Sequence, residues 1–151
     1  MITSYNTIIH INDYPIIKGH LFFLRIIMTN LIHQHALLKV NTNFFFKTEE
    51  QMNDFLRRLV KEVNMDVIIE PRSAFCGQEG NLGLTGQIGL VTSHATIHSW
   101  DEFNFHELDV YSCKHFDTEK LLDFLHLELK ADSVEYLCFD RETMPRTLRR
   151  F

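Results

Sequence analysis

Three cysteines among 151 residues, Cys76, Cys113 and Cys138, are too few and too irregularly spaced to form a disulfide framework or a zinc site. A reducing compartment follows, and the chain is expected in the cytoplasm. An uninterrupted apolar run is also missing: about 20 residues are needed to cross a bilayer, and the nearest approach, GHLFFLRIIM, is broken by Arg25. Asp13 upstream and the lack of a clear small-residue cleavage site argue against a secretory signal. There is no basic excess either. A formal charge of −5 and a pI near 6.0 argue against a general nucleic-acid binder, so neither nucleic acid nor membrane is an expected partner. Internal repeats and low-complexity segments are absent.

What is present is enough apolar residue, 45% of the chain, to bury one core. Residues 36–40 suit a first strand, and the aromatic patch 44–46 leads into a helix. Thr48 and Gln51 form a capping box, after which Met52, Phe55, Leu56, Leu59, Val60 and Val63 fall on one helical face. Glu49 and Glu50 suit the positive end of that helix, and Arg57, Arg58 and Lys61 the negative end. Residues 66–70 read as a strand stopped by Pro71, with a glycine-bearing loop to Gly83. Three further strands are expected near 87–91, 94–100 and 107–113. A second helix follows, capped by Asp117 or Thr118 with Leu121, Leu122, Leu125 and Leu129 inward, and then a last strand over 134–139. This order predicts an α+β two-layer sandwich, a largely antiparallel sheet with two helices on one face. The arginine-bearing C-terminal tail reads as a solvated basic end.

The stretch 83–113, GLTGQIGLVTSHATIHSWDEFNFHELDVYSC, carries the candidate chemistry. His94 and His98 make an H-x-x-x-H pattern, but their Thr- and Ile-rich surroundings favour a strand. Four residues then span about 13 Å, too far for one shared ion, so no metal is expected. His106 and His115 are expected at the surface. Ser93 and His98 stand an odd number of positions apart, so an unbroken strand would point them to opposite faces; a kink, turn or bulge between them is therefore predicted. Taken alone, His98 fits a half-buried sheet histidine and Cys113 a small buried hydrophobe, as do Cys76 and Cys138.

In order and spacing, Gly83, Thr85, Gly86, Ser93, His98, Trp100, Glu102 and Cys113 resemble the core motif of the bacterial S-adenosylmethionine decarboxylase proenzymes. The resemblance begins near His35, which divides the chain into an N-terminal extension of unknown role (1–27) and a decarboxylase-like domain (28–151). Decarboxylation needs a sink for the electron pair left behind, which no ordinary side chain supplies, and no motif specifically identifies a pyridoxal phosphate site. The resemblance implies that the chain makes its own pyruvoyl group. Ser93 attacks the preceding carbonyl, the Thr92–Ser93 bond is cut, and the new terminus forms a Schiff base with substrate. It further implies that His98 helps remove the serine α-proton and that Thr85 supports processing. By the same resemblance Cys113 would return a proton to the substrate carbon and Glu102 would contact ribose hydroxyls, and Phe75 is the obvious candidate for the aromatic that stacks on adenine. Trp100 is read as packing. A homodimer and a role in polyamine (spermidine) synthesis are implied as well.

The chain departs from the family pattern at Thr92, usually glutamate, at Asp101, usually proline, and over 71–82, which aligns only with an insertion. Two other readings therefore stay open here: a pyruvoyl-dependent decarboxylase of ornithine or arginine, and an unprocessed homologue acting as a binding or regulatory subunit.

Overall fold

The computed structural model describes residues 32–143; the expected extension and the tail beyond Thr143 lie outside the described residues. Strand β1 (Gln34–Asn41) buries Ala36, Leu38 and Val40 and turns His35, Leu37 and Lys39 to the other side, the period of two that a half-covered sheet requires. Helix α1 (Glu49–Glu62) starts at Thr48, whose hydroxyl accepts from the Gln51 backbone N–H at 3.1 Å. The Gln51 amide oxygen accepts from the backbone N–H of Lys47 at 2.7 Å, one residue earlier than a capping box places it. The predicted apolar face is buried in full, Val63 included as the C-cap. Arg57 pairs with Glu50, Asp54 and Glu70, and Arg58 reaches Glu128.

Strand β2 (Val67–Cys76) corrects the expectation that Pro71 ends it. Its pairing with β3 (Gly83–Leu90) is irregular between Ile69 and Arg72 and resumes at Arg72. Pro71 sits in that irregularity on an edge strand, where its missing N–H forfeits no ladder bond. The loop shrinks accordingly to residues 77–82. Strands β4 (Ser93–Trp100) and β5 (Phe105–Ser112), joined by a 3₁₀ turn at Asp101–Phe103, follow. Helix α2 (Thr118–Leu129) is capped by Asp117, which accepts from Glu119 and Lys120; Leu121, Leu125 and Leu129 are buried and Leu122 partly so. Strand β6 (Ser133–Asp140) is last.

The strands form one six-stranded antiparallel sheet in the order β2-β3-β4-β5-β1-β6. Both helices cover one face, and the apolar positions of the central strands pack beneath them. The result is the two-layer α+β sandwich that the element order predicts. Among the described residues, the other face is open. Arg141, expected to be simply solvated, lies over the Tyr111 ring at 4.7 Å. Among the described residues, no helix is long and apolar enough to cross a membrane.

Candidate active site

Leu90 pairs with Ser93, so Val91 and Thr92 alone make the turn between β3 and β4. The end of β5 lies beside this turn, because His94 pairs with Tyr111. The Cys113 backbone N–H donates to Ser93 Oγ at 2.9 Å, and the Cys113 thiol points to the Val91 carbonyl at 3.5 Å. Hydrogen bonds from the Thr92 and Ser93 hydroxyls lower the Cys113 pKa below that of an ordinary thiol, because donors stabilise the thiolate. Ser93 also lines a cavity of about 340 Å³ on the open face, floored by Gln87 and Gly89 and walled by Ile69, Arg72, His94 and Thr96.

His98 stands elsewhere. Strand β4 pairs with both neighbours without a register shift, which overturns the expected kink between Ser93 and His98. Five residues of straight strand separate their Cα atoms by about 16 Å. His98 is exposed on the open face, and its Nδ1 is hydrogen-bonded to Thr85 Oγ1 at 3.0 Å. A second cavity, about 290 Å³, adjoins this pair and is lined by Cys76, Asn81, Thr85, His98 and Trp100. Trp100 also stacks on Phe105, in keeping with a packing role. The predicted residues thus form two clusters, Thr92–Ser93–Cys113 and Thr85–His98.

Glu102 is exposed and accepts from the Leu82 backbone N–H at 3.3 Å, tying the 3₁₀ turn to the end of the loop. Phe75 lies on β2 opposite Leu84 and is 62% exposed; it does not line the cavity beside His98. His106 corrects its expected surface position. It is fully buried, its Nε2–H donates to the Phe44 carbonyl, and its Nδ1 meets the Ser99 hydroxyl at 2.8 Å. Burial pushes its pKa down, because the charged ring would lose its hydration. His115 is exposed as expected, and Cys76 and Cys138 are free and half-buried.

One cluster escaped the sequence reading. Asp109 accepts from His35 Nε2 at 2.7 Å and lies 3.5 Å from His94 Nε2, and both imidazoles pack against Tyr111. Its signal was the period-two placement of His35, His94, Asp109 and Tyr111 on one sheet face, visible only once the strands are paired.

An antiparallel sheet backed by two helices, with a serine and a free thiol meeting where two of its strands end, fits the pyruvoyl-decarboxylase class. The family model described as S-adenosylmethionine decarboxylase matches residues 37–142, and the chain belongs to that family. It is 32% identical over 90 residues to the S-adenosylmethionine decarboxylase proenzyme of Sulfurisphaera tokodaii, covering 59% of this chain and 70% of that relative. Against the proenzyme of Pyrobaculum neutrophilum it is 32% identical over 96 residues, 63% of this chain and 75% of the relative. The adenosylmethionine decarboxylase structure from Aquifex aeolicus shares the fold, with a TM-score of 0.60 at 20% identity over 80% of this chain and 98% of that one.

Proposed function

We propose that the chain is a proenzyme that cuts itself between Thr92 and Ser93 and then decarboxylates S-adenosylmethionine in polyamine synthesis. The observation that carries this reading is the meeting of Ser93 Oγ and Cys113 at a hairpin end, with Thr92 inside the turn. These residues fit a pyruvoyl precursor: the serine hydroxyl is one residue from the carbonyl it must attack, and a backbone N–H holds its oxygen in place. A pyruvoyl group supplies a carbonyl that condenses with a substrate amine and takes up the electrons released with carbon dioxide. Cys113 is the proton donor to the substrate carbon, supported by its thiol lying beside Ser93. Glu102 is assigned to the ribose hydroxyls and Phe75 to adenine, both being exposed where a ligand can reach them. The site is expected to work in the cytoplasm.

His98, with Thr85, is the base for the serine α-proton, a task suited to an imidazole, the side chain most often used in general acid–base catalysis. Within one chain it is too distant to act on Ser93. We therefore infer a homodimer joined through the open sheet faces. Strand parity alone would turn Ser93 from that face, but at the first position of β4 it borders the open-face cavity beside His94 and Thr96, so a two-fold axis near Thr96 would bring the His98 of each copy toward the Ser93 of the other, and Leu37 and Leu137, paired across β1 and β6 on that face, gain cover.

Intact-mass spectrometry of purified protein tests the reading. The expected products are one fragment ending at Thr92 and another beginning with a blocked terminus, whereas Ser93→Ala stays whole. A persistently full-length wild-type chain overturns it. Carbon dioxide release from S-adenosylmethionine should exceed release from ornithine or arginine; the reverse would move the substrate assignment and leave the processing chemistry intact.

A further inference from the structure

We propose that the β3–β4 hairpin holds Thr92 in a strained backbone conformation that drives cleavage of the bond after it, which makes Thr92 a positioning residue for processing. The inference rests on the self-cleavage reading above. Thr92 has φ 53°, in the left-handed region where a Cβ crowds the following carbonyl oxygen. A turn that needs positive φ at its second central position normally places glycine or asparagine there. Among the described residues, the other non-glycine positions with positive φ are Asn64, Asn104 and Lys130. Two are asparagines, which tolerate the region, and Lys130 is a helix C-cap, where it is customary. Thr92 alone is β-branched, the kind of side chain for which this conformation is a genuine outlier.

The surroundings keep Thr92 there. On one side the Val91 N–H donates to the Asp66 carbonyl at 3.0 Å, and on the other Ser93 Oγ accepts from Cys113 N–H. The Thr92 side chain is exposed, so packing in the core does not explain a threonine at this position. In the first step of cleavage, the Ser93 Oγ–Thr92 carbonyl carbon bond forms and the Thr92 C–N bond to Ser93 breaks. The hydroxyl proton ends on the freed amine, so the step is an isomerisation with no co-reactant. It opens the peptide that closes the turn, and the strain held at Thr92 is released along the reaction rather than retained.

The test pairs a cleavage rate with a stability that should move in the opposite sense. Thr92→Gly removes the crowding and should slow fragment formation about 5- to 30-fold. In the uncleavable Ser93→Ala background, the same glycine should raise the melting temperature by roughly 3–6 °C. Thr92→Val keeps the β-branch without the hydroxyl and should cleave at nearly the wild-type rate. A purely structural role for Thr92 moves stability and leaves the rate alone. The proposal is overturned if Thr92→Gly cleaves as fast as wild type, if it fails to stabilise the Ser93→Ala chain, or if Thr92→Val is as slow as the glycine variant. A wild-type chain that never cleaves is a different failure, since it removes the processing reading on which this one stands.

Discussion

In the proton-donor role proposed for it, Cys113 has to be a protonated thiol when the substrate carbon needs a proton, yet the neighbouring hydroxyls favour its thiolate. The acid form holds the transferable proton, so a lowered pKa means that proton delivery fails at a lower pH than an ordinary thiol, near 8.5, would allow. Correct product should therefore dominate at the acid end of the range from about pH 6 to 9. Abortive transamination, which consumes the pyruvoyl group, should gain share as the pH rises through the Cys113 pKa. The ratio of product formed to enzyme inactivated, followed by mass of the processed fragment, reports this. Cys113→Ala should still cleave at Ser93, turn over poorly and lose the pH trend. A product ratio in the wild type that is flat across the range would take Cys113 out of the proton-donor role. Ser93, His98 and Cys113 were legible as candidates from motif spacing, whereas the burial of His106 was missed. Its carbonyl partner, Phe44, is 62 positions away in sequence, and the local signal is only the period of two that aligns His106 with Leu108 and Val110 on the covered face of β5.

At the scale of elements, the sequence pattern placed an element near each of the two helices and six strands of the described residues, most firmly where one face is covered and the other is not, as in α1, β1, β4 and β5. It failed where the backbone departs from regular pairing. Pro71 looked like a stop because a proline cannot donate to a ladder, but an edge strand with an irregular register asks for no donor there. Conversely, a break in β4 was inferred from a functional need within one chain, and the strand has no such need if a second copy supplies the base. The glycines of β3 are a finer test of how tightly this sheet is built. A Cβ on Gly86 would lie 2.7 Å from Ser73 Oγ and 2.8 Å from Met52 Sδ, side-chain atoms that can give way. Gly86→Ala should cost about 1–3 kcal/mol, the usual range for overpacking. A Cβ on Gly83 would lie 2.1 Å from the Ser99 carbonyl oxygen, at φ +151°, so both the backbone of β4 and the residue's own conformation oppose it. Gly83→Ala should be the worse substitution, on the order of 3 kcal/mol or more. Denaturant unfolding of the two variants, each in the Ser93→Ala background so that processing does not intrude, decides the order; equal losses would mean that the β3–β4 pairing yields more easily than these distances imply.

For the whole molecule, the decisive fact is that the residues proposed for processing lie in two clusters about 16 Å apart along a straight strand. A base that must touch the α-proton of Ser93 cannot do so across that distance, and no bulge shortens it. Either His98 has no part in processing, or it serves a different copy of the chain. The two cases separate when two inactive variants are made together. Ser93→Ala keeps His98 but has no serine to convert, and His98→Ala keeps Ser93 but has no base. Each alone should remain essentially uncleaved. In co-expressed mixed dimers, the Ser93→Ala copy can present its His98 to the Ser93 of its partner, so fragments should appear from the His98→Ala chain alone, identified by a mass difference between the two. About half of the dimers are mixed if pairing is random, and in each of them one of the two half-sites pairs an intact serine with an intact histidine. Cleavage should thus reach roughly half of the His98→Ala chains at equal expression. If His98→Ala cleaves normally by itself, the histidine is no processing base; if it fails alone and fails equally in the mixture, the base acts within its own chain, and the straight β4 seen here would have to bend before processing begins.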